Sequence, residues 1–269
     1  LAAGAAGKAL KASGLKAEQI DLLIVATITS DTETPSTACR VQAELGAVNA
    51  VAFDINAACS GFLYAIHTAD AFIKSGIYKN VLLVGAETLS KLVDWTDRST
   101  CVLFGDGAGA AVLTAAEQGG VTAQAIGSDG SRWEVLSCMG RSNHNPICQE
   151  QAEAGFLQMN GQEVFKFAIK TVPQCIEEAL KQAGISPEEV TCFLLHQANK
   201  RIIQSVAKRL KQPEDKFPMN IDQCANTSAA SLPILLAQMD EQGRLHPGDR
   251  LVLSGFGAGL TWGACVLEW

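Results

Sequence analysis

Short apolar runs alternate with amphipathic segments along most of the chain. The apolar runs are rich in Val, Ile and Leu, which is typical of strands buried on both faces of a sheet. They lie at 22–25, 50–53, 81–84, 193–195 and 251–254. The segments between them repeat apolar residues at helical spacing, as at 66–75, 172–183 and 232–242. This alternation predicts an α/β protein with parallel or mixed sheets that are covered by helices.

The same pattern occurs twice along the chain. The tripeptide Ala-Leu-Lys at 9–11 precedes a glycine and an apolar strand, and the same tripeptide at 179–181 does so 170 residues later. A strand followed by a glycine-rich segment is repeated in a similar way. The sequence therefore predicts an internal duplication, and we place its two halves at residues 1–120 and 121–269.

The composition limits the classes of partner. Of the 269 residues, 48% are hydrophobic and 18% are charged, an ordinary mixture for a globular protein with a large core. The formal net charge of -7 argues against nucleic acid as the main partner. No apolar stretch approaches the roughly eighteen residues that a transmembrane helix needs. We therefore expect a soluble protein that binds neither nucleic acid nor membrane.

The nine cysteines give no metal-binding pattern. None of them forms a CxxC pair or lies at zinc-ligand spacing from a histidine, so no metal site is expected. Thiols in apolar contexts, such as Cys192, Cys224 and Cys265, favour a reducing compartment, and we predict the cytoplasm. Leu1 is not an initiator methionine and a helical pattern begins at Ala2. We therefore expect an upstream segment to be absent, which leaves a plastid location open.

Cys59 lies where a strand runs through a tight turn into a helix. The segment Asp54-Ile55-Asn56-Ala57-Ala58-Cys59-Ser60-Gly61-Phe62 follows the apolar run 50–53 and precedes an amphipathic helix. The unpaired N–H groups and the positive dipole end of a first helical turn favour a thiolate, which predicts a pKa below the ordinary value of about 8.5. Cys59 is therefore a candidate nucleophile, and a small buried hydrophobic residue is the alternative interpretation.

Two other polar residues lie at similar strand-to-helix corners. His196 ends the apolar strand 193–195, and Asn226 opens the sequence Asn-Thr-Ser-Ala-Ala-Ser before another helix. Taken separately, the histidine could be structural and the asparagine could be a helix cap. With Cys59 they form a Cys, His, Asn set. In a duplicated fold, corresponding corners of the two halves can meet in one site.

Five motifs occur in an order that resembles the ketoacyl-acyl carrier protein synthase III family, condensing enzymes of the thiolase-like superfamily. They are Ala57-Ala58-Cys59-Ser60-Gly61-Phe62, Phe104-Gly105-Asp106-Gly107-Ala108-Gly109-Ala110, His196-Gln197-Ala198-Asn199, Asn226-Thr227-Ser228-Ala229-Ala230-Ser231 and Phe256-Gly257-Ala258-Gly259-Leu260-Thr261-Trp262-Gly263. The resemblance covers essentially the whole chain. It implies a thiolase-like duplicated αβαβα five-layer sandwich.

The resemblance also implies an acyltransferase that initiates fatty acid synthesis. The Cys59 thiolate would take the acyl group of acyl-CoA, and malonyl-acyl carrier protein would then lose carbon dioxide and attack the acyl-Cys59 to give a 3-oxoacyl thioester. His196 and Asn226 would donate hydrogen bonds to the enolate, and the backbone N–H groups of Cys59 and Ala258 would hold the later oxyanion. Both thioesters are substrates, and no cofactor is expected.

Peripheral roles follow from the same resemblance. Arg98 matches a position that stacks on the CoA adenine, although a structural surface arginine is an alternative. Thr34 matches a loop position that crosses a homodimer interface and floors the acyl pocket of the partner, and its small side chain predicts primers longer than acetyl. Lys166, Arg201 and Lys208 are expected to dock the acidic carrier, and a solvated helix face is the alternative.

Two segments are not assigned to catalysis. The glycine-rich run 105–109 precedes an apolar strand pattern at 110–113, whereas a phosphate cradle requires a helix N-terminus next, so we expect a structural role. The polar segment 131–159 is expected to cover the entrance of the site.

Three other functions stay open. The same Cys, His, Asn set could act on a different second substrate, as in polyketide-type or hydroxymethylglutaryl-CoA synthases. A cysteine hydrolase is the second possibility, and a truncated, non-catalytic acyl-binding homologue is the third. The asparagine at 226, where elongating synthases carry a second histidine, favours the initiating synthase. The absence of a cysteine from 255–263, where thiolases carry one, favours it too.

Overall fold

The computed structural model of the chain describes residues 1–140, 147 and 155–269. Its helices are α1 (Ala2–Ser13), α2 (Thr37–Leu45), α3 (Gly61–Lys74), α4 (Gly161–Ala183), α5 (Lys200–Leu210), α6 (Ile221–Cys224) and α7 (Ser231–Glu241). Its strands are β1 (Leu22–Ala26), β2 (Val51–Ile55), β3 (Asn80–Thr88), β4 (Asp106–Thr114), β5 (Gly120–Ser128), β6 (Leu136–Ser137), β7 (Gln158–Met159), β8 (Cys192–Leu195), β9 (Arg250–Gly257) and β10 (Thr261–Glu268). Each strand and helix predicted from the hydrophobic pattern overlaps an element of the predicted type.

Local sequence sets several helix ends. The side chains of Ser36, Asn160 and Asn199 each accept a hydrogen bond from a backbone N–H in the first turn of α2, α4 and α5. Gly14 and Gly184 follow α1 and α4 with left-handed φ angles of 71° and 68°, a conformation that costs glycine little. These two glycines are separated by the 170-residue offset seen in the sequence.

Two four-stranded mixed sheets form the framework. Their strand orders are β2-β1-β3-β4 and β5-β10-β9-β8. In the first sheet β1 runs parallel to β2 and β3, and β4 is antiparallel to β3. In the second sheet β8 runs parallel to β9, and β10 is antiparallel to both β9 and β5. Strands β1, β3 and β4 therefore have counterparts in β8, β9 and β10.

Three apolar clusters lie between the five layers, and the central one is shared by both sheets. Helices α1 and α2 cover the outer face of the first sheet, α3 and α7 lie between the sheets, and α4 and α5 cover the outer face of the second. Strand β8 shows the alternation directly, because Phe193 and Leu195 face the outer cluster while Cys192 and Leu194 face the central one. The predicted five-layer αβαβα arrangement is confirmed.

The duplication extends to the turns that carry the candidate site. Short 3-10 turns at Ala58–Ser60 and Ser228–Ala230 precede α3 and α7 at the 170-residue offset. Each turn begins with a non-glycine residue in the left-handed region, with φ 47° at Ala58 and φ 48° at Ser228. The chain leaves the first sheet after β4 and enters the second at β5, so the boundary that we propose between the halves 1–120 and 121–269 falls at the first residue of β5.

The glycine-rich run 105–109 lets β4 approach the second half closely. A Cβ atom added at Gly105 would lie 2.6 Å from the Cys224 carbonyl oxygen, and one added at Gly109 would lie 2.5 Å from the Ile234 backbone nitrogen. Both distances are far below a normal contact, so only glycine fits. This packing supports the structural role expected for the run. Strand β4 is at the edge of its sheet, because on the side away from β3 no strand from the described part of the chain pairs with it.

Helices in the described ranges are too short or too polar to span a bilayer. Part of the segment 131–159, namely 141–146 and 148–154, lies outside the described residues, and so does that part of the predicted cover of the site entrance.

Candidate active site

The turn that carries Cys59 joins β2 to α3. Ala58, with φ 47°, bends the chain directly before the cysteine, and its N–H donates to the Asn56 side chain at 3.3 Å. A left-handed conformation at a residue with a Cβ costs free energy and recurs at functional sites. Cys59 itself is 8% exposed, so it is buried rather than on the surface.

Strand β9 from the second half packs directly against this turn. A Cβ atom added at Gly257 would lie 2.7 Å from the Cys59 backbone nitrogen, and one added at Gly255 would lie 3.2 Å from the His196 Cβ and 3.8 Å from the Cys59 carbonyl oxygen. The two glycines therefore bring the Cys59 turn and the end of β8 against the same strand.

The expectation that Cys59 ionises readily is wrong for the free protein. The pKa of the thiol is raised to about 11, mainly by burial, and the nearby Glu87 charge acts in the same direction. The Ser228 side chain lowers the pKa, but its effect is smaller than that of burial. Cys59 lies in the 3-10 turn that precedes α3, and loss of solvent is the largest effect on its pKa. The thiol proton must therefore be removed when the sulfur reacts.

His196 follows the last residue of β8 and is held on both sides. Its backbone N–H donates to the Ser254 carbonyl oxygen at 2.8 Å, and its ring Nδ1 lies 2.6 Å from the Ser231 Oγ. The Phe256 ring meets the imidazole edge-on at 5.6 Å. Burial lowers the pKa of His196 to about 4, so the imidazole is neutral at physiological pH.

Asn226 is fixed by backbone pairing with the first half. Its N–H donates to the Leu103 carbonyl oxygen at 3.0 Å, and its carbonyl oxygen accepts from the Gly105 N–H at 2.9 Å. The side-chain Oδ1 accepts from the Ser228 N–H at 2.9 Å. This bond orients the amide, and its Nδ2 group has no acceptor among the described residues.

Glu87, near the end of β3, is a buried acid that the sequence analysis did not single out. Its carboxylate accepts hydrogen bonds from Thr29 Oγ1 at 2.6 Å, from Ser228 Oγ at 3.2 Å, and from the Ile28 N–H and Thr27 Oγ1. Burial raises the pKa of Glu87 to about 7 despite these donors. The sequence contained one signal for this residue, a charged side chain within a strand whose other residues are mostly apolar.

The loop of residues 226–231 brings the three motifs together. Ser231 contacts His196, Ser228 contacts both Cys59 and Glu87, and Asn226 bonds to Ser228. The Cys, His and Asn corners from the two halves therefore lie around one loop.

Ala258 lies beside the Cys59 turn. The Thr261 Oγ1 is 2.9 Å from the Ala258 carbonyl oxygen and 3.1 Å from the Ala57 carbonyl oxygen. A single threonine hydroxyl thus spans the two backbone segments that the sequence analysis expected to form an oxyanion hole.

The peripheral candidates lie on the surface. Arg98 is exposed in a turn after β3, Thr34 is exposed in the loop before α2, and Lys166, Arg201 and Lys208 are exposed on α4 and α5. Lys166 pairs with Glu163 at 2.9 Å. No hydrogen bond within the described ranges links any of these five side chains to Cys59, His196 or Asn226.

Comparison with known proteins identifies the family. Residues 53–130 match the family described as 3-Oxoacyl-[acyl-carrier-protein (ACP)] synthase III, and residues 180–269 match its C-terminal model. A relative from Clostridium tetani, named Beta-ketoacyl-[acyl-carrier-protein] synthase III, is 49% identical over 98% of this chain and 82% of its own length. The chain belongs to the 3-oxoacyl-[acyl-carrier-protein] synthase III family. The resemblance inferred from the five motifs is confirmed.

Solved structures agree with this family assignment. The 3-oxoacyl-[acyl-carrier-protein] synthase III of Aquifex aeolicus is 47% identical with a TM-score of 0.92, covering 100% of this chain and 83% of that chain. The priming β-ketosynthase of the R1128 polyketide pathway is 35% identical with a TM-score of 0.92, and the match covers 100% of this chain and 80% of that chain. The synthase III fold is therefore confirmed, and the chain is an acyltransferase of the condensing type.

Proposed function

We propose that this synthase III transfers an acyl group from acyl-CoA to Cys59 and condenses it with malonyl-acyl carrier protein, initiating fatty acid synthesis. The observation that supports this assignment is the loop 226–231, which contacts Cys59 through Ser228 and His196 through Ser231. A nucleophile and two neutral hydrogen-bond donors in one buried site are the groups that a decarboxylative condensation needs.

Cys59 is the nucleophile of the first half-reaction. Its sulfur attacks the thioester carbonyl carbon, the thiol proton leaves, and CoA departs as a thiolate, which leaves an acyl-Cys59. The oxyanion that forms during this attack is held by the backbone N–H groups of Cys59 and Ala258. Thr261 positions these two segments against each other.

His196 and Asn226 stabilise the enolate of the second half-reaction. When the Ser231 hydroxyl donates to Nδ1, the neutral imidazole carries its proton on Nε2 and can donate it to the malonyl thioester oxygen. The Asn226 Nδ2 supplies a second donor because Oδ1 is already bonded to the Ser228 N–H. The carbanion left by loss of carbon dioxide attacks the acyl-Cys59 and releases the 3-oxoacyl-carrier thioester.

This chemistry needs no resident cofactor. Both substrates enter as thioesters, and the departing carbon dioxide drives carbanion formation. We therefore propose that the acyl groups arrive on CoA and the carrier and that the protein supplies only side chains and backbone N–H groups. The bacterial origin of the relatives favours a cytoplasmic location.

Three surface features are assigned to partners within this proposal. Arg98 binds the CoA adenine, and Lys166, Arg201 and Lys208 dock the acidic carrier. Thr34 floors the acyl pocket of a second copy in a homodimer, whose interface would include the edge strand β2, where Val51 is 50% exposed. Because threonine is small, acyl-CoA primers longer than acetyl are accepted.

A priming role in polyketide synthesis is the second candidate. It is favoured by the likeness to the R1128 priming ketosynthase at 35% identity. The two functions use the same Cys, His, Asn set, so the acceptor decides between them. Turnover with a fatty-acid carrier compared with a polyketide carrier separates the two.

Intact-protein mass spectrometry tests the proposed function. Incubation with acyl-CoA should add one acyl group to the protein and none to Cys59→Ala, and malonyl-acyl carrier protein should then discharge it as the 3-oxoacyl thioester. His196→Ala and Asn226→Ala should still acylate but fail to condense. A wild-type protein that remains unmodified, or an acyl group on another residue, would reject the assignment.

A further inference from the structure

Glu87 is a buried carboxylate that joins two loops. It is 1% exposed, and none of the ion pairs formed by the described residues includes it. Its Oε2 accepts from Thr29 Oγ1 at 2.6 Å and from the Ile28 N–H at 3.1 Å, and both donors belong to the loop that follows β1. Its Oε1 accepts from Ser228 Oγ at 3.2 Å. Burying a carboxylate without a cation is costly, so its presence in an apolar strand requires an explanation.

The loop after β1 anchors one side of the carboxylate. Thr29 Oγ1 accepts from the Thr88 N–H at 2.8 Å, so its own proton is directed to Glu87. Thr27 Oγ1 adds a longer bond to the same carboxylate oxygen at 3.3 Å. Because β1 pairs with β3, these donors and the carboxylate belong to one sheet and its loop. The position of the carboxylate is therefore set within the first half of the chain.

The other side of the carboxylate faces the turn that begins at Ser228. Ser228 is 1% exposed and adopts φ 48°, a left-handed conformation that is unfavourable for a residue with a Cβ. Its hydroxyl donates to Glu87, and its N–H donates to the Asn226 Oδ1 at 2.9 Å. Two hydrogen bonds therefore hold Ser228 in this conformation, one through its side chain and one through its backbone.

The backbone bond of Ser228 decides which way the Asn226 carboxamide faces. A backbone N–H can only donate, so the amide atom opposite it is Oδ1, and the donor Nδ2 is directed away from Ser228. In the proposed condensation this Nδ2 donates to the enolate. A displacement of Ser228 would move the partner of Oδ1 and, with it, the direction of Nδ2.

The 170-residue offset shows that the carboxylate stands where the other half has a close backbone contact. Glu87 of β3 is the counterpart of Gly257 of β9, and Ser228 is the counterpart of Ala58. A Cβ atom added at Gly257 would lie 2.7 Å from the Cys59 backbone nitrogen, so β9 touches the cysteine turn directly. At the same position in β3, Glu87 instead reaches its turn through a hydrogen bond. The asparagine turn is thus held by a side chain where the cysteine turn is held by packing.

We propose that Glu87 is a positioning residue for the condensation step, and that it holds Ser228 so that the Asn226 Nδ2 is aimed at the enolate oxygen. The carboxylate acts as a hydrogen-bond acceptor throughout and exchanges no proton with the substrate. It lies two hydrogen bonds from the Asn226 amide and acts on it through Ser228. The proposal rests on the proposed function, in which Asn226 stabilises the enolate.

The condensation half-reaction, started from isolated acyl-enzyme, tests this role. Protein acylated on Cys59 is freed of CoA and mixed with malonyl-acyl carrier protein, and rapid quench gives the maximal rate and the half-saturating carrier concentration. In Glu87→Ala and Ser228→Ala the maximal rate should fall by about 10- to 100-fold, because the amide donor is misaligned. The half-saturating concentration should change less than about twofold, because the carrier surface is untouched. Glu87→Gln, which keeps an oxygen for the Ser228 hydroxyl, should lose less than Glu87→Ala.

The Asn226→Ala background separates positioning from a general effect on the fold. The residual condensation rate of Asn226→Ala, followed over hours, should be unchanged when Glu87→Ala or Ser228→Ala is added, because the amide that these residues orient is already gone. A residue that only stabilised the fold would instead lower the rate by the same factor in both backgrounds. The backbone accepts alanine at this turn, because Ala58 has φ 47° at the counterpart position.

Matched controls complete the test. Exposed Glu44→Gln on α2 should match the wild type, and thermal unfolding should show that Glu87→Ala and Ser228→Ala are folded at the assay temperature. Three results would each overturn the positioning role while leaving the proposed function intact: a Glu87→Ala rate within about twofold of the wild type, an equal loss in the Asn226→Ala background, or a larger loss in Glu87→Gln than in Glu87→Ala. A wild-type protein without acyl-Cys59 would instead reject the proposed function.

Discussion

The Nδ1 atom of His196 and the Oγ atom of Ser231 lie 2.6 Å apart, which is a short hydrogen bond between two buried groups. Ser231 is the first residue of α7, and it follows the Asn226 loop by a single 3-10 turn. The bond therefore connects the two donors of the proposed enolate site. When Ser231 donates in this bond, the imidazole proton is on Nε2, which is the tautomer that the proposed condensation step requires.

Removing this hydroxyl should impair condensation more than acylation. In Ser231→Ala the imidazole loses the partner that favours the Nε2–H tautomer, and we expect decarboxylation of malonyl-acyl carrier protein to slow about tenfold. Acylation of Cys59 should change less than twofold. Rapid-quench measurement of the two half-reactions checks this, with exposed Ser75→Ala as the control. Equal losses in both half-reactions would show that Ser231 acts on the fold instead.

Much of the architecture could be predicted because it depends on local pattern. The apolar runs correspond to strands, and the repeated Ala-Leu-Lys tripeptide and its glycines mark equivalent helix ends in both halves. Cys59 lies between β2 and α3 and His196 directly follows β8, as the strand-to-helix prediction has it, whereas Asn226 follows the short helix α6 rather than a strand. Their convergence around one loop agrees with the duplication argument, whereas their catalytic roles are still proposals.

Long-range contacts determine what could not be predicted. The pKa of Cys59 depends mainly on its burial, and β9 packs against its turn from the other half of the chain. The residues around Cys59 in the sequence do not indicate this packing. Glu87 is 141 residues from Ser228 in the sequence, so its bond to the Asn226 loop follows only from the packed fold. Thr34 and Arg98 lie on the surface, and their proposed roles require a partner subunit or a ligand.

Glu87 and His196 should have opposite effects on stability as pH changes. The folded-state pKa of Glu87 is raised to about 7 from a usual 4.5. The stability that this carboxyl contributes to the folded protein is therefore present below pH 4.5 and is lost as pH rises through 7. The folded-state pKa of His196, about 4 against 6.5, is lowered. Its contribution is present above pH 6.5 and lost as pH falls through 4. The two effects offset each other across much of this range.

Substituting one residue should therefore expose the other. The free energy of unfolding of Glu87→Gln, relative to the wild type, should rise by about 3 kcal/mol between pH 4.5 and 7, from the shift of the Glu87 pKa. For His196→Gln the free energy of unfolding, relative to the wild type, should instead rise as pH falls from 6.5 to 4. Urea unfolding at several pH values measures both. Differences that stay flat with pH would show that these groups titrate alike in the folded and unfolded states.

Gly257 should be essential for the position of the nucleophile. In Gly257→Ala the new Cβ would lie 2.7 Å from the Cys59 backbone nitrogen, so the turn must move. A displacement of this kind can cost about 100-fold in rate, and we expect that loss in single-turnover acylation. Gly4→Ala is the matched control, because a Cβ there meets nothing within 4 Å and should leave the rate unchanged. Normal acylation by Gly257→Ala would mean that the Cys59 turn has room to relax.

Charge on the exposed face of α5 should control carrier binding. Arg201 and Lys208 are exposed, and neither takes part in an ion pair with the described residues, so both are available to an acidic partner. In Arg201→Glu and Lys208→Glu the apparent KM for malonyl-acyl carrier protein should rise about tenfold, with a weaker salt dependence and an unchanged acylation rate. Lys8→Glu on α1, in the opposite outer layer, is the matched control. If the three variants behave alike, the basic face is only solvated and the carrier binds elsewhere.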